Sequence, residues 1–244
     1  MSRFASHFEI AGRLVGPGEP AYVIAEAGAN HNRDRGVARE LIDVAAAAGV
    51  DAVKFQTYTG KDLYSSRTPQ FEYLADERSP QELLDAIALP REWQAELAEH
   101  ARDRDIDFSS PFDCAAVDSL CELGVPAMKI ASFEIVDLDL IRYAAAAGVP
   151  IIVSTGMAVY GEIEEALGAV AETGNRDVAL LRCASVYPAE PEIMNLAAMA
   201  TMRSAFGVPV GLSDHTRGIA VAAGAAAFFL APCRKPKNDR ATGK

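Results

Sequence analysis

Residues Asp51–Thr57 read Asp-Ala-Val-Lys-Phe-Gln-Thr, and their alternation decides how the rest of the chain is read. On a strand, successive side chains point to opposite faces, so Ala52, Lys54 and Gln56 share one face and Val53 and Phe55 the other. The apolar face suits a covering helix. The opposite face carries an amine and an amide between small neighbours. A lysine turned into a strand-lined interior has to meet an anion there or give up its charge. Lys54 is therefore the first residue that needs a function.

Working outward, the same order recurs: a helix, a glycine, then Val-Asp or Val-Pro, then a strand. It stands at Gly49-Val50-Asp51, Gly124-Val125-Pro126, Gly148-Val149-Pro150 and Gly207-Val208-Pro209. Glycine just past a helix is the usual left-handed stop, and a proline after it cannot continue the helix. The segments before these stops have helical period, with Val37, Leu41, Val44 and Ala48 after a cap at Asp34, and Ile163, Leu167 and Val170 before Gly174. Strands are expected at Tyr22–Ala27, Asp51–Thr57, Ile106–Ser110, Ala127–Ser132, Pro150–Thr155, Asp177–Cys183 and Val208–Ser213, with a weaker eighth at Ala225–Ala231. Short β-branched or alanine-rich strands separated by helices argue for a parallel sheet covered by helices. Eight such units in a chain of roughly 250 residues predict an α/β fold, a (β/α)8 TIM barrel whose last unit is atypical or incomplete. No Gly-x-Gly-x-x-Gly follows the first strand, which leaves a doubly wound sheet as the weaker alternative.

Three segments follow from this division. Residues 1–21 read as an arm with a hairpin over Phe8–Val15, residues 22–232 as the barrel, and residues 233–244 as a polar tail. Between Tyr58 and Pro90 lies a long polar connection with helical turns only near Pro80–Ile87, which reads as an active-site lid on the second strand-to-helix link.

Bulk properties narrow the function. Half of the 244 residues are apolar and the net charge is −11, which disfavours a nucleic-acid or acidic-membrane surface. Any anionic ligand must be drawn by a few focused cations. Cys114, Cys121, Cys183 and Cys233 have no metal-binding spacing and read as reduced thiols of a cytoplasmic protein. The apolar run Ile219–Pro232 falls short of the roughly 20 residues of a membrane span.

Active sites of such barrels lie at the strand C-termini. Those positions carry Glu26 with Asn30-His31-Asn32, Lys54 with Gln56, Ser109-Ser110-Pro111-Phe112-Asp113, Lys129 with Ser132 and Glu134, Ser154-Thr155-Gly156, Arg182 with Ser185 and Tyr187, and Ser213-Asp214-His215-Thr216. Two lysines aimed into one cavity, with hydroxyls opposite, suit a small phosphorylated and carboxylated ligand. A lysine–phosphate contact near 4 Å contributes roughly 4 kcal/mol at an effective dielectric of 20, so two such contacts outweigh an acidic exterior. Glu26 and Glu134 are candidates for proton handling and His215 for a metal ligand. The bland alternatives are an ion pair between a lysine and a glutamate, serines that cap strand ends, a hydrogen-bonded loop histidine at His215, a His31 that merely shapes the first loop, and packing at Tyr187.

Tyr22–Asn32 (YVIAEAGANHN), DAVKFQTYT, SSPFD, Met128–Glu134 (MKIASFE), Ser154–Ala158 (STGMA) and Gly211–Thr216 (GLSDHT) together resemble the sialic acid synthase family, from about Phe8 to Ala223. That family comprises the N-acetylneuraminate, legionaminate and pseudaminate synthases. The resemblance implies a barrel and a condensation of phosphoenolpyruvate with an N-acyl hexosamine, aided by Mn2+ or Mg2+. By motif, Lys54, Lys129, Ser110, Ser132, Ser154 and Ser213 match phosphoenolpyruvate contacts, and Gln56 and Tyr187 match the sugar side. Glu26 and Glu134 match proton handling and water activation, and His215 matches one metal ligand. Ser185 stands at a substrate-binding position where the neuraminate enzymes tend to have asparagine, which leans towards the pseudaminate branch. The Ser79–Trp93 stretch leans towards the neuraminate branch.

Two departures shape the expectation. The family pattern has a second metal histidine ending the eighth strand, at a place that here reads Ala227–Pro232, and a small C-terminal domain that completes the partner's site in a homodimer. The expectation is a truncated or frameshifted synthase with an incomplete metal site. The alternatives are a remnant that binds ligand or partner without turnover, and a Schiff-base aldolase using Lys54 or Lys129.

Overall fold

The computed structural model describes residues 3–70, 78–104, 106–111 and 113–230, and only the backbone of residues 107–111 and 228–230. The N-terminal arm forms the expected antiparallel hairpin of β1 (Phe8–Ile10) and β2 (Arg13–Val15), with Phe8 opposite Val15. Strands and helices then alternate as β3 (Ile24–Gly28), α1 (Arg35–Ala47), β4 (Ala52–Thr57), α2 (Gly60–Leu63), α3 (Pro80–Ile87), α4 (Arg91–Arg102) and β5 (Asp107–Pro111). The series continues through α5 (Cys114–Leu123), β6 (Met128–Ile130), α6 (Leu138–Ala146), β7 (Ile151–Ser154) and α7 (Tyr160–Glu172). It ends with β8 (Val178–Cys183), α8 (Ala197–Phe206), β9 (Val210–Ser213) and α9 (Ala220–Leu230). Every pairing among β3–β9 is parallel: β3-β4-β5 form one ladder, β6-β7-β8-β9 a second, and β6 lies beside β5.

Local chemistry sets the helix ends. Asp34, Asp113 and Asp137 each accept a backbone N–H three residues on, at 3.0, 2.7 and 3.0 Å, and Ser79 with Glu82 forms a capping box at α3. Gly124 and Gly207 stop α5 and α8 in the left-handed conformation, at φ 70° and 67°, where a side chain would be strained.

Strand parity then sorts the side chains. Val53, Phe55, Met128, Ile130, Ile151, Val153, Val178 and Leu180 turn to the helices and join Ile42, Leu97, Leu120, Ile141 and Ile163 in the main core. The opposite, inner face begins with Ile24, Ala127, Ile152 and Ala179, which pack with Phe8 and Ile10 of the hairpin. The arm is thus an apolar plug under the N-terminal ends of the strands. Asp51 fastens it, pairing with Arg13 while accepting the Val23 N–H at 2.6 Å.

One expected strand is a helix. Ala225–Ala231 was assigned to an eighth strand, yet residues 220–230 form α9. A wholly apolar run has no period to read, and its alanine content and length favour a helix. Residues 227–230 of the place expected to hold the second metal histidine lie in α9, which follows the seventh parallel strand of the described residues. Residues 231–244, including the polar tail, lie outside the described residues, as do residues 71–77 of the long connection. Within that connection α3 is fastened down: Asp85 Oδ1 accepts the Gly60 N–H at 2.6 Å, and Arg33 donates to the Asp85 carbonyl at 2.5 Å.

The plug makes a direct prediction. Ile10 is 2% exposed, so Ile10→Ala should cost about 2–5 kcal/mol in urea unfolding. A loss under about 1 kcal/mol would show the hairpin to be a loose appendage.

Candidate active site

Along the inner face each strand changes from apolar to polar towards its C-terminal end. Ile24 is followed two residues on by Glu26, Ala52 by Lys54 and Gln56, Ala127 by Lys129, Ile152 by Ser154 and Gly156, and Leu181 by Cys183. In register, Glu26 sits opposite Lys54 and Cys183 opposite Ser213. The polar ends of six strands thus face one another.

Two clusters result. In the first, buried Lys54 forms an ion pair with Glu26, whose carboxylate remains half exposed, and the Glu26 carboxylate and Gln56 amide both lie against Gly28. The second gathers Ser132, Ser185, Ser213 and His215 around Cys183. Ser132 Oγ accepts the Gly156 N–H at 3.0 Å. A Cβ on Gly156 would lie 2.4 Å from Ser185 Oγ, 2.8 Å from Ser132 Oγ and 3.2 Å from Cys183 Sγ, so only glycine lets these groups meet. His215 Nδ1 lies 2.8 Å from the Ala184 carbonyl oxygen and 3.8 Å from Cys183 Sγ. A carbonyl only accepts, so Nδ1 carries the proton and the neutral ring keeps its lone pair on Nε2. Tyr187 stacks on this ring with centroids 4.1 Å apart.

Lys129 links the clusters electrically. Burial and then the charge of Lys54 push its amine down to about 8, against the pull of Glu26, Cys183 and Glu134. Burial raises the Glu134 carboxyl above its ordinary range, against the pull of Lys129. Burial alone would raise the Cys183 thiol, but the hydrogen bonds of His215 and Ser132 bring it down to about 7. His215 is raised in turn, first by Cys183 and then by the Ala184 carbonyl, against its burial.

Several polar atoms here are buried without a protein partner, namely Ser154 Oγ, Ser185 Oγ and Glu134 Oε2. Such groups are costly unless a ligand or water completes them. Of the sequence-predicted residues, the structure brings together Glu26, Lys54, Gln56, Lys129, Ser132, Glu134, Ser154, Ser185, Tyr187, Ser213 and His215. Ser110 lies in β5, and its side chain is outside the described residues.

Other strand-end residues have structural tasks. Arg182 donates to the carbonyls of Ile193 and Met194, both at 2.9 Å, and staples the turn after β8. Asp113 takes two hydrogen bonds from Arg91, at 3.0 and 2.9 Å, besides capping α5. Asp214 accepts the Thr216 N–H at 2.9 Å. His31 is buried between Phe55 and Trp93 and accepts the Arg33 N–H at 3.0 Å, so it shapes the first loop. Conversely, Cys183 and Gly156 belong to the site. Cys183 carries no signal by residue type, but its parity with Ala179 and Leu181 places it on the inner face.

His215 offers one nitrogen, and among the described residues no three histidine, cysteine or carboxylate side chains converge.

Comparison with known proteins adds an independent line. The NeuB family model matches residues 41–228. The chain is 43% identical over 205 residues to a pseudaminic acid synthase of Helicobacter pylori, covering 82% of this chain and 60% of that protein. It is 41% identical over 213 residues to an N,N'-diacetyllegionaminic acid synthase of Campylobacter jejuni, covering 84% and 64%. The crystal structure of N-acetylneuraminic acid synthetase from Leptospira borgpetersenii, in complex with citrate, superposes with a TM-score of 0.80 at 31% identity, over 89% of this chain and 73% of that one. The chain therefore spans less than two thirds of the length of these curated relatives.

The perturbed lysine predicts a pH signature. A base whose folded pKa is lowered destabilises the fold while protonated. The cost is full below about 8 and disappears as pH rises towards the ordinary 10.5. Lys129→Met should therefore raise stability by up to about 3 kcal/mol at pH 7, with the gain shrinking between pH 8 and 10.5. A loss of stability at pH 7, measured by urea unfolding, would contradict the assignment.

Proposed function

The chain belongs to the NeuB family, and on that premise we propose that it acts as a nonulosonic acid synthase, condensing phosphoenolpyruvate with an N-acyl hexosamine and releasing phosphate. The observation that carries this reading is the convergence on one inner face of two lysines with buried, unpartnered polar groups. Such a face suits an anion with several acceptor oxygens. Relatives named as pseudaminic and legionaminic acid synthases support the reaction class, and at 43% and 41% identity they leave the sugar branch open. In this reading the strands belong to a (β/α)8 barrel whose last unit is atypical or incomplete, the apolar plug seals its floor, and the protein works in the cytoplasm as a homodimer.

The residues divide the work by their environments. Lys54 and Lys129 bind the phosphate and carboxylate. Ser154 and Ser185 donate hydroxyl protons to the same oxygens, with Ser110, Ser132 and Ser213 beside them. Gln56 and Tyr187 face the sugar. As the enol carbon of phosphoenolpyruvate bonds to the aldehyde carbon, the aldehyde oxygen takes a proton from Glu134, whose carboxyl burial raises above its ordinary range. Water then adds at the resulting cation, its proton passing to the half-exposed Glu26 carboxylate. The C–O bond to phosphate then breaks, the phosphate leaving with the bonding pair and the hydroxyl proton, and the ketone remains. Mn2+ or Mg2+ would polarise the aldehyde; His215, whose Nε2 is free to ligate, would be its nitrogen ligand, and no step is derived through it.

The test is phosphate release from phosphoenolpyruvate, with N-acetylmannosamine and a 2,4-diacetamido-6-deoxyhexose offered in parallel. Release that depends on one sugar is expected and names the branch. Sugar-independent release, or none from a folded chain, would overturn the proposal.

A further inference from the structure

The strands that carry Glu26 and Lys54, β3 and β4, lead into segments joined by a chain of hydrogen bonds that starts at His31. The ring is fully buried between Phe55 of β4 and Trp93 of α4, with centroids 6.1 and 6.4 Å away. Its Nδ1 accepts the Arg33 N–H at 3.0 Å, so the ring proton sits on Nε2, which is buried without a protein partner. That bond, with the Asp34 N–H on the His31 carbonyl at 2.8 Å, holds a turn in which Asn32 and Arg33 are both left-handed, at φ 47° and 56°. Residues with a side chain adopt that conformation only when they are held there. So placed, Arg33 donates to the Asp85 carbonyl at 2.5 Å, and Asp85 Oδ1 accepts the Gly60 N–H at 2.6 Å. Gly60 opens α2 just past β4, and it lies so close to α3 that a Cβ would overlap the Gln81 carbonyl oxygen.

We propose that His31 is a positioning residue, the catch of a latch that holds the backbone leaving β4 through Arg33 and Asp85 and opens when the ring takes up a second proton. Its consequence for turnover rests on the synthase reading, in which Gln56 near the end of β4 faces the sugar. The latch itself needs no substrate.

The switch is one of donors and acceptors. An imidazolium carries N–H at both nitrogens, so Nδ1 would face the Arg33 N–H donor to donor, and neither ring proton would have an acceptor. The surroundings do not offset this. Phe55 and Trp93 are uncharged, Lys54 of β4 pairs with Glu26, and Arg91 at the start of α4 pairs with Asp113. Asp34 caps α1, and Asp85 of α3 holds Gly60. Burial first, and then the charge of Arg33, lower His31 below its ordinary 6.5. The closed latch therefore excludes the proton, and the open one takes it up near 6.5. By linkage the latch is at full strength above 6.5. Below that its closing equilibrium weakens by up to about tenfold per pH unit, until the buried ring itself titrates.

The experiment is amide hydrogen exchange of the purified chain, read by NMR between about pH 7.5 and about 5 and corrected for the intrinsic pH dependence of exchange. The Gly60 amide should lose protection by up to about tenfold per unit below 6.5, while the amides of α7 do not. His31→Asn supplies an acceptor oxygen in place of Nδ1 and does not titrate, so Gly60 should stay protected across the range. His31→Leu should leave it unprotected at every pH. Gly60 exchange that is independent of pH in the unaltered chain, or a loss shared equally by α7, would overturn the proposal whether or not the variants fold. A pH response that persists in folded His31→Asn would do the same. Absence of sugar-dependent phosphate release, with the acid response of Gly60 intact, would remove the synthase reading and keep the latch.

Discussion

Parallel strands covered by helices on one face must satisfy the other face as well, because their backbone is spent on the ladder and water has little access. The chain meets that constraint in two ways along the same strands. Near the N-terminal ends the inner face is apolar and sealed by Phe8 and Ile10. Near the C-terminal ends it is polar, and the ion pair of Lys54 with Glu26 anchors the change. The functional groups gather around that pair. One half-exposed carboxylate faces a buried lysine, and a second lysine, Lys129, is depressed by the first. Glu26, Cys183 and Glu134 supply the opposing negative charge within the protein.

The two clusters divide the site chemically. Around Lys54, charge dominates. Around Cys183, the groups are small hydroxyls: Ser132 and Ser185 approach because Gly156 has no side chain to keep them apart, and Ser213 reaches the thiol from β9. Donors held in place before a ligand arrives need no reorganisation when it does. The His215 ring is likewise fixed by the Ala184 carbonyl, which decides which nitrogen looks outward.

Much of this was legible in the residues. The alternation of DAVKFQT assigns the two faces of β4, and the same parity carries to Lys129 and Ser154. Glycine stops and aspartate caps mark the helices within a residue or two. The eighth strand was not legible, because Ala220–Leu230 is apolar all round and offers neither a period of two nor one of 3.6. Nor were the tasks of Arg182 and Asp113, since a charged residue at a strand end looks the same whether it meets a ligand or a neighbouring carbonyl. Cys183 was hidden for the opposite reason: a thiol reads as apolar until its parity is counted. Likeness to longer synthases agrees with the site but extends over only part of their length.

The central claim is that Lys54 and Lys129 together make an anion site. Calorimetric titration of phosphoenolpyruvate into the purified chain tests it most directly, alongside Lys54→Met and Lys129→Met variants confirmed as folded. The account predicts binding that weakens at least about tenfold on loss of either lysine. Affinity unchanged in both folded variants would contradict it.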